Sequence, residues 1–125
     1  MALKVFIDGS AGTTGLKIAA RMRARDDVEL LVADAESRKD AQTRKKLING
    51  ADVVFLCLPD MAARESVSLV ENPEVKIIDS STAHRTAEGW SYGFAELSAA
   101  HRSQLRLSRR VAVPGCHASG FCVYF

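Results

Sequence analysis

Lys4-Val5-Phe6-Ile7-Asp8 runs straight into Gly9-Ser10-Ala11-Gly12-Thr13-Thr14-Gly15, and these twelve residues decide the fold. The first five are β-branched or aromatic at their centre and end at a glycine, as a short strand does. The next seven spell G-x-x-G-x-x-G. Glycines at those positions let the chain turn tightly, bring backbone close to a pyrophosphate, and pack the following helix against the strand. The helix N-terminus then offers free N–H groups and the positive end of its dipole to phosphates. Glycine-rich turns of this kind also occur without a ligand. Here the context adds weight: a strand precedes, a helix follows, and Asp34 ends the next strand nineteen residues after Gly15.

Outward from that turn, strands and helices alternate. Leu16 to Arg25 carries Leu16, Ile18, Ala19, Ala20 and Met22 with no proline, which predicts a helix opening around Gly12 to Gly15. Val28 to Ala33 is nearly all apolar, as a strand buried on both faces should be. A polar stretch from Asp34 leads to a short helix over Ala41 to Ile48. Asp52 to Leu58 is a third strand stopped by Pro59, and Ala62 to Val70 is a helix ended by Asn72-Pro73. Val75 to Asp79 is a fourth strand. Ser80 to Tyr92 is polar and irregular, Leu97 to Leu107 is helical, and Val111 to Val113 is a fifth strand. The alternation predicts a doubly wound α/β domain: a parallel sheet with helices on both faces.

Composition bounds what this domain does. The 125 residues are 47% apolar and 26% charged, a folded single domain rather than a disordered or collagen-like chain. No apolar run is long enough to cross a bilayer, and the first residues lack the pattern of a secretory signal. Seventeen basic against fifteen acidic residues leave +2, too balanced to imply nucleic acid as a partner. Cys57, Cys116 and Cys122 are odd in number, without metal-type spacing, so free thiols and a cytoplasmic location are expected, with no metal.

Two features at the end of the second strand pull in opposite directions. Asp34 favours a free ribose 2′-hydroxyl, hence NAD. Ser37, Arg38 and Lys39 follow at once, and a hydroxyl beside two cations suits a 2′-phosphate, hence NADP. Each of these residues taken alone also fits a solvated loop. Together they favour NADP.

The thiols differ in setting. Cys57 lies within an apolar strand and Cys122 in an apolar tail, where a thiol packs as a small hydrophobe. Cys116 follows Pro114-Gly115 and precedes His117-Ala118-Ser119-Gly120, where a loop is expected to enter a helix. A thiol at a helix N-terminus has its thiolate form favoured, as a nucleophile requires.

Four segments in order then carry a resemblance. Gly9 to Gly15, Asp79-Ser80-Ser81-Thr82-Ala83-His84-Arg85, Tyr92-Gly93-Phe94-Ala95-Glu96-Leu97 and Val113-Pro114-Gly115-Cys116 resemble N-acetyl-gamma-glutamyl-phosphate reductase, in its shorter variant. The resemblance runs from Lys4 to about Gly120. It implies a Rossmann-like fold and an NADP-dependent oxidoreductase of arginine biosynthesis acting on a small acyl phosphate. Cys116 matches the family's nucleophile, which forms a thioester with the γ-acyl group. Gly9, Ser10, Gly12, Thr13, Thr14 and Gly15 match its NADP phosphate loop, and Ser37 and Arg38 fall where the 2′-phosphate lies. Ser81 and Arg85 match a loop near the substrate or phosphate pocket. A guanidinium such as Arg85 suits a departing phosphate, and equally a structural ion pair.

The chain also departs from the family. Val113 stands where the family usually has asparagine, and His117-Ala118-Ser119 replaces a Tyr-Pro-Thr-like run. The chain ends nine residues past Cys116, so residues 1–125 are expected to form the nucleotide-binding half, lacking the family's second domain with its catalytic histidine and much of its subunit interface. His84, His101 and His117 do not match that histidine. His117 adjoins Cys116, but neighbouring side chains in a helix or strand point apart. The family's full-length form allows a homo-oligomer. Two other functions fit the same motifs: an aspartate-semialdehyde dehydrogenase-like enzyme and a non-catalytic dinucleotide-binding module.

Overall fold

The computed structural model describes residues 2–9, 12–33, 36, 39–85, 87–93 and 98–113. Along them run β1 (Leu3–Asp8), α1 (Thr13–Arg23), β2 (Val28–Leu31), α2 (Ala41–Gly50), β3 (Val53–Leu56), α3 (Asp60–Ser68), β4 (Lys76–Asp79), β5 (Ser91–Tyr92), α4 (Ala99–Leu107) and β6 (Arg110–Ala112). The strands form one parallel sheet in the order β2-β1-β3-β4-β6-β5. From β1 the chain steps outward to β2 and then returns to β3 on the other side. That reversal, between β1 and β3, is where open α/β sheets leave a crevice at their carboxyl ends.

The two faces of the sheet follow from the alternation of side chains along β1. Val5 and Ile7 face α1 and pack with Ala19, flanked by Ile18, Met22, Leu30 and Phe55. Phe6 points the other way into the larger core beneath α2 and α3, with Ile48, Ala51, Val54, Leu56, Ala63, Val75 and Ile77. Ile48, Val54, Leu56 and Ile77 are at most 1% exposed. Full burial of one such side chain stabilises the fold by about 1.5–3 kcal/mol. Helices thus cover both faces, as the strand–helix alternation predicts, but β2, read as buried on both faces, lies at the sheet edge with Glu29 exposed and none of its residues buried.

Register carries the same parity to the carboxyl ends. Asp8 pairs with Leu56, Leu56 with Asp79, and Asp79 with Ala112, so the four residues form one row on the α2–α3 face. Both aspartates in that row are buried, and each has its own set of partners.

Several boundaries move for physical reasons. Helix α3 begins at Asp60, because Pro59 serves as its N-cap as well as the stop for β3. Strand β2 ends at Leu31, where its pairing with Phe6 of β1 ends. The stretch read as irregular contains the two-residue β5, which pairs outside β6 through Ser91↔Val111 and Tyr92↔Ala112. Such a short edge strand, polar at one of two positions, lacks any periodic signal.

Candidate functional site

The turn after β1 is built around Gly9. Its φ is +90°, and a β-carbon there would meet the Cys57 carbonyl oxygen at 2.3 Å. Only glycine combines that conformation with that approach. Cys57 N donates to Asp8 O at 2.8 Å, so the end of β1 and the turn after β3 are locked side by side. Gly12 N then donates to Gly9 O at 3.1 Å, and Leu16 N to Gly12 O at 2.9 Å, which closes the first turn of α1.

Helices α1 and α3 open without a side-chain cap, whereas α2 and α4 have one. Asp40 caps α2 by accepting from Thr43 N at 3.1 Å, and Ser98 caps α4 by accepting from His101 N at 3.0 Å. The α1 N-cap is Gly12, which has no side chain to offer, and no acidic residue occupies the first turn. Among the described residues no side chain caps the N–H groups at the start of this helix, an arrangement that suits an anion. Gly15 is buried in the same turn.

A cavity of about 320 Å³ lies at the ends of β1 and β2, bordered by Gly9, Val32, Ala33, Lys39, Arg44 and Leu58. Arg44 is not a free cation there. It shares a face of α2 with Ile48 four residues on, which carries it under the sheet to Asp8. Its Nη2 donates to Asp8 Oδ2 at 3.0 Å and its Nε at 3.2 Å, and Ser66 Oγ donates to the same oxygen at 2.5 Å. Arg44 Nη1 lies 3.5 Å from Glu65. Lys39 has no such partner among the described residues and lines the cavity.

On the other side of the β3 turn lies the 80–85 segment, tied at every residue. Ser80 Oγ donates to Leu56 O at 2.8 Å. Ser81 donates to Asp79 through its N and its Oγ, both at 2.9 Å, and Ser81 Oγ accepts from Ala83 N at 3.2 Å. Thr82 N donates to Asp60 Oδ1 at 2.9 Å, and Thr82 Oγ1 donates to Asp60 Oδ2. His84 Nδ1 lies 2.5 Å from Asp79 Oδ2, and its ring stacks on Trp90 at 4.1 Å between centroids. Arg85 Nε donates to Val113 O at 3.0 Å. Serine and histidine both bond the aspartate rather than each other, so this cluster is a clamp and not a Ser-His-Asp relay.

A glycine turn before an uncapped helix, a crevice at the sheet's reversal and a clamped polar loop beside it form one constellation. The family model described as semialdehyde dehydrogenase, NAD binding domain, matches residues 4–105. The chain belongs to that family.

Relatives extend the match. An N-acetyl-gamma-glutamyl-phosphate reductase of Trichormus variabilis is 56% identical over 118 residues, which span 94% of this chain and 37% of the relative. A protein of the same name from Chelativorans is 51% identical over 120 residues, 96% of this chain and 39% of that one. The chain therefore spans little more than a third of these curated relatives. Among solved structures, aspartate semialdehyde dehydrogenase II of Vibrio cholerae overlays with a TM-score of 0.62 at 12% identity, covering 94% of this chain and 43% of that one. The Francisella tularensis aspartate semialdehyde dehydrogenase gives 0.65 at 16% identity, covering 90% and 36%. At such identities the likeness concerns the fold.

Within this semialdehyde dehydrogenase NAD-binding domain, the expected site residues fall into three groups. Gly9, Gly12, Thr13, Thr14 and Gly15 come together in the turn and first turn of α1. Ser81 and Arg85 sit in the clamped segment, where the Ser81 hydroxyl is already committed to Asp79 and Ala83. Ser10, Asp34, Ser37, Arg38, Cys116, His117 and Cys122 lie outside the described residues. Cys57 is half-buried, and burial pushes its thiol up, as expected of a packed cysteine; a hydrogen bond with Ser80 partly opposes this. Among the described residues no cluster of His, Cys, Asp and Glu could hold a metal ion, and no helix is long and apolar enough to cross a membrane.

Arg44, Ser66 and Asp60 escape sequence reasoning. Arg44 looks like one of three cations on a solvated helix, Arg44-Lys45-Lys46, and only its four-residue spacing to Ile48 hints at burial. Asp60 directly follows Pro59, where an acidic residue reads as ordinary first-turn chemistry.

Proposed function

We propose that this chain is the dinucleotide-binding part of an N-acetyl-gamma-glutamyl-phosphate reductase, NADP-dependent and cytoplasmic, acting in arginine biosynthesis. The observation that carries this reading is the 56% identity over 118 residues with a relative of that name. The glycine turn fits a dinucleotide: Gly9, Gly12 and the open start of α1 would hold its phosphates, and Ser37, Arg38 and Lys39 its 2′-phosphate. When bound, NADPH supplies the hydride that turns an acyl group into an aldehyde.

The chain's own chemistry centres on Cys116. Its thiolate attacks the γ-carbonyl of N-acetylglutamyl phosphate, a C–S bond forms as the C–O bond to phosphate breaks, and phosphate leaves with the electron pair. Arg85 meets the departing phosphate. Its Nε is spent on Val113, while its two Nη groups have no partner among the described residues. A planar guanidinium presents such donors as a fork matched to phosphate oxygens.

Two measurements on the purified chain test this reading. Titration with NADPH and NADH is expected to show the former binding about tenfold tighter or more, since charge-assisted bonds to a phosphate are worth about 1.5–3 kcal/mol. Arg38→Ala and Lys39→Ala should erode that preference, and equal affinities in the unaltered chain would overturn NADP. Iodoacetamide is expected to modify Cys116 faster than Cys57. Equal rates would remove Cys116 as the nucleophile.

A further inference from the structure

We propose that Asp60 is a positioning residue: through Thr82 it holds the 80–85 segment so that Arg85 reaches Val113. The role of Arg85 toward phosphate belongs to the function proposed above, and the placement of Arg85 by Asp60 stands apart from it.

Asp60 is the first residue of α3, the place where a carboxylate ordinarily serves its own helix. Here both its oxygens are turned away to Thr82, one accepting the backbone N–H and the other the hydroxyl. These bonds hold the Asp60 carboxyl below the usual carboxylate range. Of the other ties before Arg85, Ser80 runs to the end of β3, Ser81 and His84 to the end of β4, Ala83 back to Ser81, and the His84 ring stacks on Trp90. Thr82, exposed at the apex of the segment, is tied only to Asp60 among the described residues.

The turn that carries Asp60 also touches the phosphate turn. Cys57 holds Asp8 by its N–H and lies under Gly9 with its carbonyl, and Leu58 borders the cavity. One short stretch, residues 57–60, is thus fixed by the cofactor side and in turn fixes the segment that bears Arg85. Arg85 Nε then binds Val113 O, while Val113 N donates to Asp79 O at 2.8 Å. Val113 stands three residues before Cys116. Val113 is thus held by β4 through its N–H and met at its carbonyl by Arg85, and Asp60 acts, through Thr82, on the Arg85 side of that contact.

The test is nitrogen-15 NMR of the Arg85 Nε–H in the whole 125-residue chain, with its exchange rate measured in several variants. Asp60→Ala should accelerate exchange on the order of tenfold while circular dichroism stays native, as for a local opening rather than global unfolding. Asp60→Asn should restore protection, because its amide oxygen still accepts the Thr82 N–H. Thr82→Val, which keeps the N–H and loses the hydroxyl, should lie between the two, and it carries the test with Asp60→Asn if Asp60→Ala does not fold. Unchanged protection in Asp60→Ala, or equal loss in Asp60→Asn, would overturn the proposal. Titration with inorganic phosphate separates the two ideas. If the Arg85 resonances do not respond, Arg85 loses its role toward phosphate, whereas its placement by Asp60 is judged by the exchange rates alone.

Discussion

Gly9 lies against the carbonyl of Cys57 so closely that a β-carbon on it would sit 2.3 Å from that oxygen. The contact joins the turn after β1 to the turn after β3 across the point where the sheet reverses direction. It explains why the first glycine of the triplet meets a stricter demand than the second. At Gly12, by contrast, φ is −79° and the nearest atom to an added β-carbon is Gly9 O at 3.6 Å, an ordinary contact.

The two glycines should therefore respond differently to alanine. Gly9→Ala is expected to cost about 1–3 kcal/mol from the backbone conformation alone, and more because Cys57 must move. Gly12→Ala meets no clash and should cost about 1 kcal/mol or less, as a poorer N-cap. Urea denaturation of both variants checks this; comparable losses would mean that the Gly9–Cys57 contact does not constrain the turn.

Acid should weaken the fold through two hydrogen-bonded carboxylates, the Asp40 cap of α2 and Asp60. Hydrogen bonding by Thr43 lowers the Asp40 carboxyl below its ordinary value, and Thr82 does the same for Asp60. A group depressed in the folded state stabilises it above its unfolded pKa, and that contribution disappears as pH falls through the folded value. The melting temperature should hold steady down to about pH 5 and fall below about pH 4, near the ordinary aspartate value. Asp40→Asn should shrink the difference between melting temperatures at about pH 6 and about pH 3, which bracket that value. An unchanged acid drop would show that Asp40 has no part in it.

What the sequence made legible was periodic or local. Apolar runs named most of the strands, and the glycine triplet located the start of α1, because both signals depend on neighbours within one turn or one strand. The row of Asp8, Leu56 and Asp79 depends on register between three strands, and no one of them encodes it alone. Arg44 belongs to the same class: its burial is settled by a carboxylate 36 residues away. The His84-Arg85 segment was legible as a motif, yet its geometry was not. Ser81 and His84 spend their polar atoms on Asp79, and that clamp could not be told from substrate chemistry by residue type.

The clamp has its own reporter, since Trp90 is the sole tryptophan and its ring stacks on His84. Removing the imidazole by His84→Ala should expose one face of the indole and move its emission to longer wavelength. The fold should lose about 1–3 kcal/mol, the cost of leaving a buried acceptor short of a partner. Ser81 still donates twice to Asp79, which places the value toward the lower end. Emission unchanged from the parent chain would mean that the stack does not persist in solution.

The buried pair at the end of β1 gives the largest expected loss. Asp8 and Arg44 are 5% and 7% exposed, and the carboxylate also receives Ser66. Arg44→Ala would leave Asp8 charged and buried with one neutral donor, a situation that typically costs about 3–5 kcal/mol. The larger part of that penalty is the stranded charge rather than the lost attraction. Asp8→Asn should therefore rescue it: combined with Arg44→Met, which refills much of the volume, it should cost less than Arg44→Ala alone. In that double variant Ser66 Oγ can still donate to the amide oxygen that replaces the carboxylate, so the serine hydroxyl keeps its acceptor. Urea midpoints for the parent, Arg44→Met, Asp8→Asn and their double close the cycle, with Arg44→Ala measured beside them. If the double variant is as unstable as the sum of its singles, the pair acts through packing, and its charges contribute nothing to holding α2 and α3 beneath the turn after β1.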